Sequence, residues 1–178
     1  MNKKVFFLLV LVIAVFGLVA CGGTTTEEKE VGSVESSVQD DNDTNESADA
    51  AEESSDVEEF GIVIADDDNV KATLVNVEHV VDDLFDDEKY VINIDIENKT
   101  ENKVIVQARD VSIDGTMVDD MVFFSEEIAG DKNAKGKMEI QNYEGELPTM
   151  EDNIEFILLI IDDETFEDLA EHEVKIDF

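Results

Sequence analysis

Three clusters of aspartates in short polar segments contain the residues of this chain with the clearest potential for metal chemistry. Their members are Asp66 and Asp68, Asp86 and Asp87, and Asp162 and Asp163. Carboxylate oxygens are the ligands that Ca²⁺ prefers in proteins. A single EF-hand loop does not fit, because one starting at Asp66 fails at Val70 and one starting at Asp82 fails at Leu84. A calcium site built from several loops stays open, beside the alternative that these carboxylates are simply solvated.

The histidines do not form a catalytic pattern. His79 and His172 are the only two in the chain and both have glutamate neighbours, which indicates exposed strand positions for each. The sequence has no HExxH motif, no nucleophile elbow and no phosphate-binding glycine loop. We therefore predict no enzyme activity and no cofactor. A cell-wall-directed glycosidase stays open, because so many acids offer many carboxylate pairs.

The only cysteine lies at the end of an apolar run. Residues 5–20 carry no polar side chain, follow Lys3 and Lys4, and lead directly into Cys21. As a helix, this run would reach about 24 Å, which is short of the roughly 30 Å hydrocarbon core and favours a secretory signal over a membrane span. A single cysteine also excludes an internal disulfide and a multi-cysteine zinc site.

The end of this run resembles the signal of bacterial lipoproteins, Leu-x-Ala/Gly-Cys, with Leu18, Val19 and Ala20 before Cys21. The resemblance implies that residues 1–20 are a signal peptide and that Cys21 becomes the first residue and carries a diacylglyceryl group. Two acyl chains hold a protein firmly where one holds it marginally. We therefore expect a lipid anchor on the extracellular face of the cell membrane. An ordinary signal peptide, with Cys21 as a free thiol, is the alternative.

Acidic residues dominate the chain, with 47 Asp and Glu against 12 Lys and Arg. This charge argues against a nucleic-acid partner, which needs a basic surface. Residues 22–58 hold 13 acids and one base, and their apolar residues are all Val or Ala. We therefore predict a disordered acidic tether over residues 21–58 and attribute the helical spacing of Val31, Val34 and Val38 to chance. A segment for glycosylation or partner binding is the alternative.

Residues 59–178 show the pattern of a β domain, with 27 Val and Ile against 6 Leu and 6 Ala. Apolar residues alternate with polar ones, as in strands with one buried face. The pattern predicts strands over residues 60–65, 70–81, 90–97, 104–108, 111–113, 121–125, 137–141, 154–161 and 174–178.

Several details follow from the same pattern. We predict a bulge near Asn76, a hairpin between residues 90–97 and 104–108, a tight turn at Asp114 and Gly115, and a central strand over residues 154–161. Short helical turns are predicted over residues 148–153 and 165–170. The apolar residues 117–124 are assigned to the core rather than to an interface. Together these features predict an all-β, antiparallel sandwich of about seven or eight strands, with a small barrel as the alternative.

Four segments resemble uncharacterised immunoglobulin-like domains of Gram-positive surface lipoproteins. They are YVINIDIENKT (90–100), VSIDG (111–115), IAGDK (128–132) and IEF (154–156). Asp114 stands where that pattern usually has Asn, and Asp131 separates Gly130 from Lys132. The resemblance implies an immunoglobulin-like sandwich and no catalytic residues. We expect a non-catalytic binding module at the cell surface, whose charge favours a cationic partner on an extracellular protein or a wall component.

Overall fold

The computed structural model describes residues 24–36, 61–85, 87–143 and 145–178. These residues form two antiparallel sheets around one apolar core, so the predicted β-sandwich is confirmed. The strands are β1 (Thr24–Glu28), β2 (Ser33–Ser36), β3 (Ile62–Asp66), β4 (Val70–Asp82), β5 (Asp87–Asn98), β6 (Val104–Ile113), β7 (Thr116–Met117), β8 (Val122–Phe123), β9 (Ser125–Ile128), β10 (Asn133–Gln141), β11 (Asn153–Asp162) and β12 (Asp168–Asp177). A 3₁₀ helix covers Asp119–Met121.

Each sheet contains six strands but is five strands wide, because two strands share one edge position. Sheet I has the order β1-β4-β5-β10-β8, and β3 shares the edge of β4 that β1 uses. Sheet II has the order β2-β12-β11-β6-β7, and β9 shares the edge of β6 that β7 uses. β11 lies between β12 and β6 and is buried over residues 158–161, which confirms the predicted central strand. The strands of the described residues outnumber the expected seven or eight, because β1 and β2 lie in the predicted tether and β7, β8 and β9 are very short.

The predicted hairpin between residues 90–97 and 104–108 is wrong. β5 pairs with β4 and β10 in sheet I, whereas β6 pairs with β11 in sheet II. Between β5 and β6 the chain passes from sheet I to sheet II. The Asn98 side chain stabilises this connection, because its Nδ2 donates to the backbone oxygens of Asn102 and Ile128, at 2.8 and 3.0 Å. Gly130 packs so close to Glu101 that any Cβ would overlap its backbone oxygen. Alternation shows which side chains are buried but not which sheet a strand joins.

The bulge and the tight turn are confirmed. The β4–β5 register shifts between Leu74 and Asn76, and Asp114 and Gly115 have φ angles of 47° and 76°, as hairpin turns of this kind require. The Asp114 carboxylate also accepts hydrogen bonds from the backbone N–H groups of Glu151, Asp152 and Asn153. Asp has two side-chain oxygens where Asn has one, and both oxygens of Asp114 are used by these three hydrogen bonds.

The two predicted helical turns are wrong. Residues 148–152 form an irregular connection, and residues 168–170 begin β12. The Asp162 carboxylate accepts hydrogen bonds from the N–H groups of Glu164 and Thr165, which makes a tight turn after β11. Side chains of Asp commonly favour turns over helices in this way.

Residues 24–36 correct the predicted tether, because they form two strands of the sandwich. β1 pairs with β4 and β2 pairs with β12, and Val31 and Val34 pack against the core. An open strand edge offers N–H and C=O groups that a short segment can satisfy through its backbone alone. The acidic composition therefore did not prevent folding here. The rest of the predicted tether, residues 21–23 and 37–58, lies outside the described residues.

β1 joins an extension of sheet I that we name the β-arm, formed by β1, residues 78–85 and residues 87–89. Thr24 pairs with Asp82 and Glu28 pairs with Glu78, so β1 covers the arm along its length. At the arm's base, the Lys29 ammonium lies 4.9 Å from the ring centre of Phe178 and 5.9 Å from that of Tyr90. Burial raises the pKa of Tyr90, whose hydroxyl accepts a hydrogen bond from the backbone of Met150.

The substitution Val34→Ser tests whether residues 24–36 belong to the fold. We expect it to lower the free energy of unfolding by about 1–2 kcal/mol, because a partly buried apolar side chain is lost from the core edge. Urea denaturation followed by circular dichroism measures the change. The control is Glu35→Ser on the same strand. The Glu35 side chain is exposed, so this substitution should change the free energy of unfolding by less than about 0.5 kcal/mol. Equal stability of both variants and the parent would contradict the docking of β2.

Candidate functional site

The outer face of sheet II carries an open groove of about 530 Å³ that crosses β2, β12, β11 and β6. The strand register creates it, because Glu35 lies opposite Lys175 and Lys175 lies opposite Glu155. Directly opposed residues of an antiparallel pair project from the same face, so these three side chains form one row. Glu173 and the half-buried Ile157 form the next row. We call this feature the acidic groove.

A bulge in β6 adds a further carboxylate to the groove. The register between β6 and β11 shifts between Glu155 and Ile157, and Asp110 has a φ angle of 51°. Asp tolerates this left-handed conformation better than most residues. A bulge re-aims the side chains beside it, and here Asp110 lines the groove together with Glu155.

The groove is strongly negative, whereas the matching groove on the opposite face is balanced. Its described lining holds four carboxylates, those of Glu35, Asp110, Glu155 and Glu173, and one ammonium, that of Lys175. The groove on the outer face of sheet I, of about 410 Å³, holds two of each sign, from Lys71, Lys135, Asp95 and Glu97. Of these two grooves, the one on sheet II therefore carries the net negative charge.

Lys175 is held in its charged form. Its ammonium lies 3.2 Å from the Asp177 carboxylate, and this hydrogen bond, with the nearby charges of Glu35 and Glu155, raises the pKa of Lys175. The described lining contains no histidine or cysteine. What the groove offers chemically is a set of carboxylates for cationic groups, over a partly apolar floor at Ile157.

The structure separates the predicted calcium ligands. Asp66 ends β3 and Asp68 lies within the β3–β4 turn, whereas Asp162 and Asp163 lie at the β11–β12 turn. Asp87 lies at the opposite end, because β5 runs from it to Asn98, which pairs with Val70. Asp86 lies outside the described residues. Within the described part of the chain, no three or more His, Cys, Asp or Glu side chains come close enough to hold one metal ion.

Most of these carboxylates already have intramolecular partners. Asp66 pairs with the Lys99 ammonium, and Asp163 lies 3.0 Å from the Lys103 ammonium. Asp87 accepts a hydrogen bond from the Gln141 amide, and Asp162 caps its own turn, which lowers its pKa. Their structural roles are ion pairing and turn capping.

His172 contradicts the predicted exposed position, because only 8% of its surface is accessible. Its Nε2 lies 3.2 Å from Oδ2 of Asp67, which links β12 to the β3–β4 turn. The sequence held a signal for this, since His172 shares the strand phase of the buried Val174. His79 is half-buried on the β-arm, with its Nε2 2.7 Å from Oε1 of Glu88.

Two further sequence predictions concern the lipoprotein signal and the apolar segment 117–124. Leu18, Val19, Ala20 and Cys21 lie outside the described residues. Among the residues that the structure describes, no helix is long and apolar enough to cross a membrane. The segment 117–124 is mixed: Val118 is buried and residues 121, 122 and 124 pack against the core, but Met117 and Phe123 are exposed.

Comparison of the chain with protein-family models, with curated proteins and with solved structures finds no match. The chain is therefore placed by its architecture, an antiparallel β-sandwich with one acidic face.

Asp67 should make the stability of the sandwich pH-dependent. Burial raises its pKa, but hydrogen bonds from Val70 and Asn69 and the proximity of His172 outweigh burial and hold the pKa below its ordinary 3.8. A carboxylate with a depressed folded-state pKa stabilises fully above the unfolded pKa, and this stabilisation is lost as pH falls through the folded value.

We expect Asp67→Asn to cost about 1–2 kcal/mol at pH 7, with the difference from the parent shrinking below about pH 4. Urea denaturation between pH 7 and pH 2.5 measures this. The control Asp68→Asn changes the exposed neighbouring carboxylate and should leave the parent's pH profile nearly intact. A cost for Asp67→Asn that does not change with pH would refute the electrostatic origin.

Proposed function

We propose that this chain is a lipoprotein, anchored through lipidated Cys21 to the extracellular face of a cell membrane, whose sandwich is a non-catalytic module that binds a cationic partner. The acidic groove is the observation that carries the binding part of this proposal. The order of basic start, apolar run and Leu-Val-Ala-Cys supports the anchoring part. The two-sheet fold is compatible with the immunoglobulin-like domains of Gram-positive surface lipoproteins that the sequence resembles.

The anchoring part follows from acyl-chain physics. Each buried methylene contributes about 0.8 kcal/mol, so the two chains of a diacylglyceryl group keep a protein on the membrane without a spanning helix. A negatively charged domain on such an anchor stays at the extracellular face of the membrane, where cationic proteins and wall components are its possible partners.

The binding part follows from the contrast between the two faces. Glu155 and Glu173 are diagonal neighbours on β11 and β12, about 7–8 Å apart, and Glu35 lies two strands from Glu155, at about 10 Å, so one extended cationic segment can meet several of them. Lys175 is the one cationic side chain in the described lining of the groove, and the exposed Arg109, opposite Ile157, lies at its edge. A basic stretch of an extracellular protein or wall component fits this surface, and rim charges of this kind chiefly raise the association rate.

The substitution Cys21→Ser tests the anchor. In a bacterial host that processes lipoproteins, we expect the parent to incorporate labelled fatty acid and to float with membranes, and the variant to do neither. The control Thr25→Ser, a nearby exposed residue, should behave as the parent does. Fatty-acid labelling of the Cys21→Ser variant at the parent's level would refute lipidation at this residue.

The double substitution Glu155→Gln and Glu173→Gln tests the groove. We expect the dissociation constant for a fluorescent decalysine peptide to rise about 3- to 10-fold, because two exposed charge contacts are lost. Fluorescence anisotropy with the full chain measures it. The matched control Asp95→Asn and Glu97→Gln removes the same charge from sheet I and should change the constant by less than about twofold. Equal weakening by both pairs would show that net charge alone attracts the peptide.

A further inference from the structure

We infer that the tip of the β-arm, Leu84 and Phe85, enters the lipid interface beside the anchor, so that the domain is held at the membrane by two contacts. This inference rests on the proposed attachment at Cys21. The arm tip is the point that the described chain leaves most exposed and most apolar, with 65% of Leu84 and 80% of Phe85 accessible.

Two backbone N–H groups of the tip already have a hydrogen-bond partner within the turn. Oδ1 of Asp82 accepts hydrogen bonds from the N–H groups of Leu84 and Phe85, at 2.9 and 3.3 Å. Unsatisfied backbone groups are costly in lipid, so these two hydrogen bonds lower the cost of bringing the side chains of the turn to the interface. The Asp82 cap therefore both shapes the turn and displays the two apolar side chains outward.

The path of the chain brings the anchor to the same place. Thr24 pairs with Asp82, and the Thr24 hydroxyl donates to Oδ2 of Asp82 at 3.0 Å. Cys21 precedes Thr24 by three residues, which span at most about 11 Å when fully extended. A diacylglyceryl group on Cys21 therefore holds the arm tip close to the headgroups.

Other exposed apolar side chains gather at the same end. Met117, Phe123 and Tyr143 are exposed there, near the β6–β7 turn and the end of β10, which pairs with Lys89 at the base of the arm. The rings of Phe123 and Tyr143 meet edge-on, with centroids 5.8 Å apart. Half-exposed aromatic side chains are typical of membrane interfaces.

Acidic residues flank the tip and make its binding depend on the charge of the lipid headgroups. Asp82 and Asp83 precede it, and Asp86, Asp87 and Glu88 follow it. Anionic headgroups would repel these carboxylates over about 8 Å at physiological ionic strength. We therefore expect the tip to enter zwitterionic bilayers more than anionic ones at low salt, with the difference shrinking as salt rises.

The chain has no tryptophan, so Phe85→Trp introduces a single reporter at the tip. The experiment uses the full chain, purified from membranes with its anchor and reconstituted in phosphatidylcholine vesicles. We expect the tryptophan emission to shift to shorter wavelength and to lose intensity when the vesicles contain brominated acyl chains, and to resist quenching by aqueous iodide. The matched control is Phe166→Trp, an aromatic position of similar exposure in the turn at the opposite end of the sandwich, which iodide alone should quench.

Flotation of the vesicles separates the two proposals. If the chain fails to float with vesicles, the anchor is wrong and this inference falls with it. If the chain floats but iodide quenches the Phe85→Trp reporter as it quenches the control, the anchor stands and the tip contact is refuted. Shielding from iodide without quenching by brominated lipid also refutes it, because a protein then covers the tip.

Discussion

The pairing of residues 24–36 with the free edges of β4 and β12 governs how the molecule is arranged. The segment runs along sheet I as β1, crosses the end of the sandwich, and continues along sheet II as β2. Between the two strands, Lys29 caps that end over Tyr90 and Phe178. β2 supplies Glu35 to the acidic groove, and β1 lines the β-arm. The groove, the arm and the closed end of the core all depend on this one segment.

The distribution of charge has two different origins. At the ends of the sandwich, carboxylates stabilise turns and form ion pairs. Asp114 and Asp162 accept backbone hydrogen bonds in turns, and Asp163 pairs with Lys103. On the face of sheet II, the lining of the acidic groove holds four carboxylates and one ammonium. Glu35 and Glu155 lie opposite Lys175, and Glu173 lies opposite Ile157, so no two of these three carboxylates oppose each other directly. The face is therefore negative without a directly opposed pair of these acids.

Much of the fold follows from local pattern. The alternation around Ile92, Ile94 and Ile96 correctly places a half-buried strand, and Asp114 with Gly115 correctly marks a tight turn. The assignment of β5 and β6 to different sheets could not be obtained in this way, because alternation carries no information on strand partners. The strands β1 and β2 were missed for a related reason, since their docking depends on backbone edges supplied by distant residues.

The candidate site was less predictable than the fold. The abundance of acids was visible, but their grouping needs the register that puts Glu35, Lys175 and Glu155 in one row. The bulge that adds Asp110 has no marker in the sequence, because Asp110 is one acid among many. The clustering of aspartates along the chain instead led to a prediction of a calcium site in the loops, but the fold places these aspartates at opposite ends of the sandwich.

The orientation of β1 has a mechanical consequence for a chain held at Cys21. If the chain is attached at Cys21 as proposed, tension enters the domain at Thr24, the first residue of β1. Since β1 and β4 are antiparallel and five residue pairs join them, tension along β1 loads the hydrogen bonds between them together in shear rather than one by one. Under that proposal, β1 bears the force between the domain and its point of attachment.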